Sequence, residues 1–198
     1  MKYNYILHIT DNYLYLKKKN NIIKYKLPKD TVYGGKIANI NKFIKSLEKL
    51  LNENHLNNSL FGEKVKIIVS SNYQSADIIL LKYLMNCFNY RKIIINKELK
   101  YFKLNTTNAY VNVFDTYMNI TFLDEYKKIN NIYIENKSFY NIYDLIKYLN
   151  YIIKDKEVYL LGSGKLINEI FSIFEDKFNK KTYIFQNHET YIITKENI

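Results

Sequence analysis

The sequence predicts an α/β protein built from two copies of one unit, in which a mixed five-stranded sheet is flanked by helices. Two observations predict this fold. Short runs of β-branched and aromatic residues alternate with apolar patterns of helical spacing, and the same order of elements occurs twice. Hydrophobic residues make up 47% of the 198 residues and charged residues 25%, which excludes global disorder. We expect two domains, residues 1–105 and 106–198.

The first half begins with three strands joined by short turns. Asp11-Asn12 is a turn pair between two apolar runs, and Gly34-Gly35 interrupts the chain before a helix whose apolar residues recur on one face. Ser70-Ser71-Asn72 is suited to the start of a second helix. The predicted elements are strands at 5–9, 13–16 and 22–27, a helix at 40–51, a strand at 65–69, a helix at 74–88 and a strand at 92–95.

The second half repeats this order. Asp115-Thr116 takes the place of the first turn pair, and Gly162-Ser163-Gly164 separates a buried strand from the last amphipathic helix. The predicted elements are strands at 109–114, 117–123 and 132–134, a helix at 142–153, a strand at 158–161, a helix at 166–178 and a strand at 182–185. Residues 191–194 are predicted to form an additional strand.

The order β-β-β-α-β-α-β therefore occurs twice. Three hairpin-linked strands followed by two right-handed crossovers give a mixed five-stranded sheet with helices on its faces. The segment at 9–14 aligns with the segment at 113–118, so that Asp11 and Asp115 occupy equivalent turns. Internal repetition over about 100 residues is a signal of fold.

Composition excludes several classes of protein. The net charge is +11, but Arg91 is the single arginine, and a reader of nucleic acid would use arginine for base and phosphate contacts. We therefore expect no nucleic-acid partner. Cys87 is the single cysteine, which excludes an internal disulfide, and it is expected to pack in the core. The three histidines show no metal-ligand spacing. Without an apolar run long enough to span a bilayer, we expect a cytoplasmic protein with no direct membrane insertion.

This order of elements resembles that of the actin-like ATPase superfamily, whose two core subdomains each contain a ribonuclease H-like sheet. In that family a hairpin opening each half carries an aspartate followed by glycines that hold phosphate, and Asp11 and Asp115 match those aspartates. Gly162, Ser163 and Gly164 match the glycine motif on the adenosine side. The stretch at 33–39, which leads into a helix, looks most like FtsA and the pilus and secretion proteins PilM and GspL.

The chain also departs from that family. Only four residues separate Ile153 from Val158, so the subdomain that family members insert there has no room, and a reduced protein is expected. Where the family has glycines beyond each aspartate, this chain has tyrosines or asparagine, and we expect these side chains to fill the space of a phosphate. These are Tyr13 and Tyr15 in the first half and Tyr117 and Asn119 in the second.

The resemblance implies a non-catalytic adaptor or scaffold that binds the cytoplasmic tail of an inner-membrane protein of a pilus, secretion or division assembly, at the inner face of the membrane. The tail would lie between the halves or extend a sheet edge. Self-association stays open, as does a role for the tyrosines clustered at 140–151 in an interface.

The alternative is an actin-like ATPase with ATP and magnesium as cofactors. Asp11 and Asp115 would then make metal and phosphate contacts, and Gly162, Ser163 and Gly164 would bind the nucleoside. Each motif also has a structural interpretation, because Asp suits a tight hairpin and glycine suits a strand-to-helix turn. A ribonuclease H-like nuclease is not expected, since the strand at 65–69 ends without an acidic residue.

Overall fold

The computed structural model describes residues 3–56, 63–88, 90–114, 117–135, 138–162, 165–185 and 188–195. It divides the chain into two compact units. The first unit runs to Phe102 and takes in the segment from Glu189 onward, and the second unit runs from Lys103 to His188. The boundary expected from the sequence, between residues 105 and 106, lies three residues after Phe102. The segment from Glu189 onward was expected in the second domain, whereas it packs with the first unit.

The first unit contains a five-stranded sheet in the order β3-β2-β1-β6-β7. Strands β1, β2 and β3 are antiparallel neighbours, whereas β1, β6 and β7 run parallel. Its elements are β1 (Tyr5–Ile9), β2 (Tyr13–Lys18), β3 (Asn21–Lys26), a small hairpin of β4 (Val32–Tyr33) and β5 (Lys36–Ile37), α1 (Ile40–Glu53), β6 (Glu63–Val69), α2 (Ser75–Asn86), β7 (Tyr90–Lys97) and a 3-10 turn (Glu98–Tyr101).

The second unit repeats this topology in the order β10-β9-β8-β11-β12. Strands β8, β9 and β10 are antiparallel, and β8, β11 and β12 are parallel. The predicted double β-β-β-α-β-α-β arrangement is thereby confirmed. The elements are β8 (Asn108–Val113), β9 (Tyr117–Leu123), β10 (Ile129–Glu135), α3 (Ile142–Ile153), β11 (Glu157–Leu161), α4 (Lys165–Phe178) and β12 (Thr182–Phe185), followed by α5 (His188–Lys195).

Local sequence sets the starts of three helices. The side chain of Asn39 accepts a hydrogen bond from the amide of Lys42 and caps α1, and Asn141 caps α3 in the same way. A capping box formed by Gln74 and Asp77 begins α2. Its N-cap lies two residues after the Ser-Ser-Asn segment that was expected to begin the helix. Each cap satisfies amides that the first helical turn leaves without partners.

Alternation along the strands divides the core of the first unit into two layers. Tyr5, Leu7 and Ile9 face α1 and α2, where they pack with Phe43, Leu47 and the other buried residues of the main cluster. Ile6 and Ile68 face the opposite side of the sheet, where they pack with Tyr15 and with Ile192 and Ile193 of α5. Both faces of the central parallel strands are thus covered, as parallel sheets require.

The segment at 191–194, predicted as a strand, is part of helix α5. The prediction was wrong because Tyr-Ile-Ile-Thr has high strand propensity, whereas burial against the first sheet favours the helix. Ile192 and Ile193 are both fully buried there, and the ammonium of Lys17 donates hydrogen bonds to the carbonyls of Ile193 and Thr194.

Two further points concern exposure. Cys87 was expected to pack in the core, but it lies at the end of α2 with its side chain exposed, which corrects that prediction. Helices of the described chain are all too short or too polar to cross a lipid bilayer.

Replacing Ile193 with alanine should lower the free energy of unfolding of the first unit by roughly 2–5 kcal/mol, because a fully buried side chain leaves a cavity against β1 and β6. Chemical denaturation measures the loss, and Thr194→Ala, on the exposed side of the same helix, is the matched control. Equal losses in both variants, or faster amide exchange in β8 than in β1, would contradict the assignment of α5 to the first sheet.

A hydrogen-bonded pair of phenols, one fully and one partly buried, should make the first unit sensitive to alkali. Tyr5 donates a hydrogen bond to the hydroxyl of Tyr90, and burial raises the pKa of Tyr90 to about 12 from its usual value of 10.0. The folded state favours the neutral phenol, so this stabilisation is complete below pH 10 and is lost as the pH rises through 12. Unfolding free energies measured from pH 8 to pH 12 should fall less steeply for Tyr90→Phe than for the unmodified chain, whereas Tyr126→Phe, at an exposed position, should leave the slope unchanged.

Candidate functional site

Asp11 lies in the turn between β1 and β2 and is held by a second turn of the same unit. Its carboxylate oxygens accept hydrogen bonds from the amides of Gly34 and Gly35, at 3.2 and 2.7 Å. Both glycines have positive φ, at 62° and 75°, so their successive amides form a concave site that suits an anion. The Asp11 carboxylate is the anion that this glycine turn binds.

Backbone amides at the turn of the β1–β2 hairpin are hydrogen-bonded within the turn itself. The amide of Thr10 donates to the carbonyl of Tyr13 at 3.0 Å, and the amide of Tyr13 donates to the Thr10 hydroxyl at 3.2 Å. The same hydroxyl donates to the Tyr13 carbonyl. A phosphate loop presents the amides beyond its aspartate to the ligand, whereas here the amide of Tyr13 is used within the turn.

The end of β6 packs directly beneath the glycine turn. A Cβ added to Gly35 would lie 2.4 Å from the Cβ of Ser70, which is closer than side chains approach one another. The side-chain amide of Asn72 donates to the carbonyl of Gly34 at 3.3 Å. Asp11, the Gly34-Gly35 turn and the Ser70–Asn72 segment, which sequence analysis had singled out separately, therefore form one site at the carboxyl ends of β1 and β6.

Tyr13 and Tyr15 do not lie where we expected them. The hydroxyl of Tyr15 donates to a carboxylate oxygen of Glu189 at 2.5 Å, and the ring is buried against α5. The Tyr13 ring packs beside it, with the ammonium of Lys24 3.9 Å from its centre. Both rings lie on the sheet face beneath α5, because residues two apart in a strand share a face. The expectation that they fill the space of a phosphate is corrected.

The equivalent turn of the second unit is bordered by aromatic rings. Asp115 lies outside the described residues, as does Thr116. On either side of them, Phe114 stacks on Tyr117 with ring centres 4.4 Å apart, and Tyr117 stacks on Tyr133 at 5.0 Å. Tyr117 is fully buried, so a large aromatic side chain does occupy the strand position at which the family carries glycine.

Gly162 follows β11 where the chain passes close to β8. Its φ is +142°, and an added Cβ would lie 2.6 Å from the carbonyl oxygen of Val113. Glycine is therefore required by the packing of the two strand ends, which is the structural interpretation of this motif. Ser163 and Gly164 lie outside the described residues.

One buried polar cluster was not found by sequence reasoning. His8 is fully buried in β1, with Nε2 2.8 Å from a carboxylate oxygen of Glu98 and Nδ1 3.3 Å from the carbonyl of Glu189. A carbonyl only accepts, so Nδ1 carries a hydrogen. The three residues are distant in sequence, and no spacing motif links them. The cluster joins the 3-10 turn and α5 to the sheet.

Within the described ranges, His, Cys, Asp and Glu side chains form no group of three or more that could hold a metal ion. In the first unit the described residues place one carboxylate against two backbone amides. In the second unit, taken by itself, they fit one glycine against the end of a strand.

Comparison with solved structures identifies the architecture. A protein of Bacteroides thetaiotaomicron described as having an actin-like ATPase fold and unknown function superposes with a TM-score of 0.63 at 12% identity, over 98% of this chain and 96% of that chain. The fold is that of the actin-like ATPases. MreB5 of Spiroplasma citri bound to ADP gives 0.60 at 11% identity, over 97% of this chain and 95% of that one. The ethanolamine utilization protein EutJ of Carboxydothermus hydrogenoformans gives 0.57 at 10% identity, over 98% and 88%.

At these identities the likeness concerns the actin-like fold alone. No protein-family model matches the sequence, and no curated protein matches it. The predicted fold class of two ribonuclease H-like subdomains, each with a mixed five-stranded sheet, is confirmed.

Replacing Gly35 with alanine should destabilise the first unit, because the new Cβ meets Ser70 and the residue keeps a positive φ. We expect a loss of roughly 2–4 kcal/mol by chemical denaturation. Adding Ser70→Gly to the same chain should restore roughly half of the loss, since it removes the clash and leaves the backbone strain. A double-mutant cycle with the two single variants measures this coupling, and a coupling of zero would contradict the contact.

Proposed function

We propose that this protein is a non-catalytic, actin-like adaptor that binds a cytoplasmic segment of an inner-membrane assembly protein. By its likeness to PilM, GspL and FtsA, the assembly is a type IV pilus, a type II secretion system or a division complex, and the protein acts in the cytoplasm at the inner face of the membrane. The observation that carries the proposal is the turn between β1 and β2, where the Asp11 carboxylate is already bound by the amides of Gly34 and Gly35.

The described residues of the first unit fit ATP and magnesium poorly. Actin-like ATPases hold phosphate with backbone amides that follow the aspartate of the first hairpin, but here the amide of Tyr13 donates to the Thr10 hydroxyl within the turn. A phosphate placed against the glycine turn would have to displace the Asp11 carboxylate, with which it would share the same amides and the same sign of charge. Both features favour a protein that keeps the fold and has lost the reaction.

The outer edge of β7 is suited to pairing with an extended peptide. It is the last strand of the first sheet in the described chain, and Ile93, Ile94 and Ile95 give it a half-buried apolar centre with charges only at its ends. The opposite edge strand, β3, carries the exposed Lys24 near its centre, which discourages pairing there. We therefore place an extended tail along β7, where it would add a sixth strand.

The second candidate is an actin-like protein that binds ATP through Asp11 and Asp115. The likeness to MreB5 bound to ADP favours it, because that protein shares the fold and holds a nucleotide. Asp11 would then exchange its glycine amides for a metal-bound water. The two candidates differ in whether nucleotide binds at all.

Titration with a fluorescent ATP analogue and Mg²⁺ separates the two functions. The adaptor should show no saturable binding at micromolar concentrations and no release of phosphate, because its hairpin amides are engaged. Asp176→Ala, at an exposed position of α4, is the matched control for Asp11→Ala. Micromolar binding that Asp11→Ala abolishes and Asp176→Ala preserves would overturn the adaptor in favour of the nucleotide-binding protein.

Binding to membrane-protein tails tests the adaptor directly. The probes are synthetic peptides that cover the cytoplasmic segments of inner-membrane proteins encoded beside this chain. One of them should bind at micromolar concentration and slow amide exchange in β7 while leaving β3 unchanged. If none of the peptides binds, the adaptor function fails; if a peptide protects β3 instead, the docking edge is wrong.

A further inference from the structure

The outward face of α3 carries the largest group of exposed aromatic side chains in the described chain. Tyr140, just before the helix, is fully exposed, Tyr151 is 80% exposed, and Tyr143 and Tyr148 are 46% and 43% exposed. Asp144 and Lys147 are exposed between these tyrosines. We refer to these six residues as the α3 face. It belongs wholly to the second unit.

The α3 face is symmetric about its own centre. At about 100° per residue, Tyr151 lies on the midline of the helix, Asp144 and Lys147 flank it on opposite sides, and Tyr148 and Tyr143 lie beyond them. Tyr140 lies in the bend before the cap residue Asn141, at the amino end of the helix. When a two-fold axis relates two facing helices that run antiparallel, a residue on one side of the face meets residues on that same side in the second copy. The order of residues along the helix is reversed. Each residue of the face therefore meets a residue from the other end of the same face.

We propose that the α3 face binds a second copy of this chain as an antiparallel α3–α3 pair. In this pairing Tyr151 of one copy reaches the amino end of α3 in the second copy, beside Tyr140, where the two rings pack together. The carboxylate of Asp144 lies opposite Tyr148, whose hydroxyl donates to it, and the ammonium of Lys147 lies opposite the Tyr143 ring. Each contact occurs twice, so one short face supplies six contacts.

The charge of the face suits this partner. The chain carries a net charge of +11, which opposes association at most surfaces, but Asp144 and Lys147 leave the α3 face without net charge. Two copies can therefore approach through this face with less repulsion than elsewhere.

The size of the face is adequate for a dimer. The exposed parts of its four tyrosines amount to roughly 500 Å² of surface per copy, since one tyrosine presents about 200 Å². Two copies would bury about 1,000 Å², the area at which specific interfaces begin. The dimer we infer is thus of moderate affinity.

The rings at the margins of the face are already held in place. Tyr143 stacks on Phe178 with ring centres 6.0 Å apart, and Tyr148 packs on Phe139 at 5.4 Å. Ordering these two side chains costs little on association, because their neighbours restrict them beforehand. The inference goes beyond the proposed function, since neither nucleotide nor tail is involved.

Sedimentation velocity over a range of micromolar concentrations tests the pairing with the full chain. The unmodified protein should form a dimer in a concentration-dependent manner, and Tyr151→Ser should raise the dissociation constant at least about tenfold. Tyr83→Ser is the matched control, because Tyr83 is 70% exposed on α2 and does not belong to the α3 face. A monomer at all concentrations, or equal effects of the two variants, would overturn the proposal.

Disulfide cross-linking tests the antiparallel direction. The background is Cys87→Ser, since Cys87 is exposed and would cross-link by itself. Mixing a Tyr140→Cys chain with a Tyr151→Cys chain should give a heterodimer, whereas each chain alone should give little, because the helix from residue 142 to residue 151 alone spans about 13 Å and like positions lie at opposite ends of the pair. Strong self-cross-linking of either chain without the mixed product would overturn the antiparallel arrangement.

Discussion

Coverage of both faces of the central parallel strands is the constraint on which the first unit depends. Strand β1 is buried along its whole length and β6 over its carboxyl-terminal part, and α1 and α2 cover only one side of them. The other side is covered by α5, which comes from the far end of the chain and brings Ile192 and Ile193 to the sheet. Because α5 is distant from β1 and β6 in sequence, the core of the first unit is complete only when α5 has packed on its sheet.

The same constraint explains the buried His8. A strand covered on both faces has no solvent side on which to place a polar residue, so the imidazole must find its partners inside. Glu98 and the carbonyl of Glu189 supply them, one from the 3-10 turn and one from α5. The polar cluster therefore joins the two elements that cover this face, and its hydrogen bonds offset the cost of burying its members.

The candidate site shows how stability of a turn and binding of a ligand compete for the same groups. The amide of Tyr13, at a position where a phosphate loop would present it to a ligand, bonds instead within the hairpin, and Asp11 occupies the anion site of the glycine turn. Ser70 supports that turn from below, at a distance that only glycine at position 35 allows. A self-satisfied site of this kind is stable by itself, which is why we favour a binding function over a reaction.

Sequence alone determined the order and type of most elements, because alternation and helical spacing are local and the order is repeated. It also identified the Asp11 turn, the Gly34-Gly35 turn and the end of β6 as notable segments, without showing that they meet. Tertiary structure alone decided that they do, that the rings of Tyr13 and Tyr15 lie beneath α5, and that residues 191–194 are helical. These outcomes depend on burial between segments far apart in the chain, and no local pattern encodes which distant surface a segment will cover.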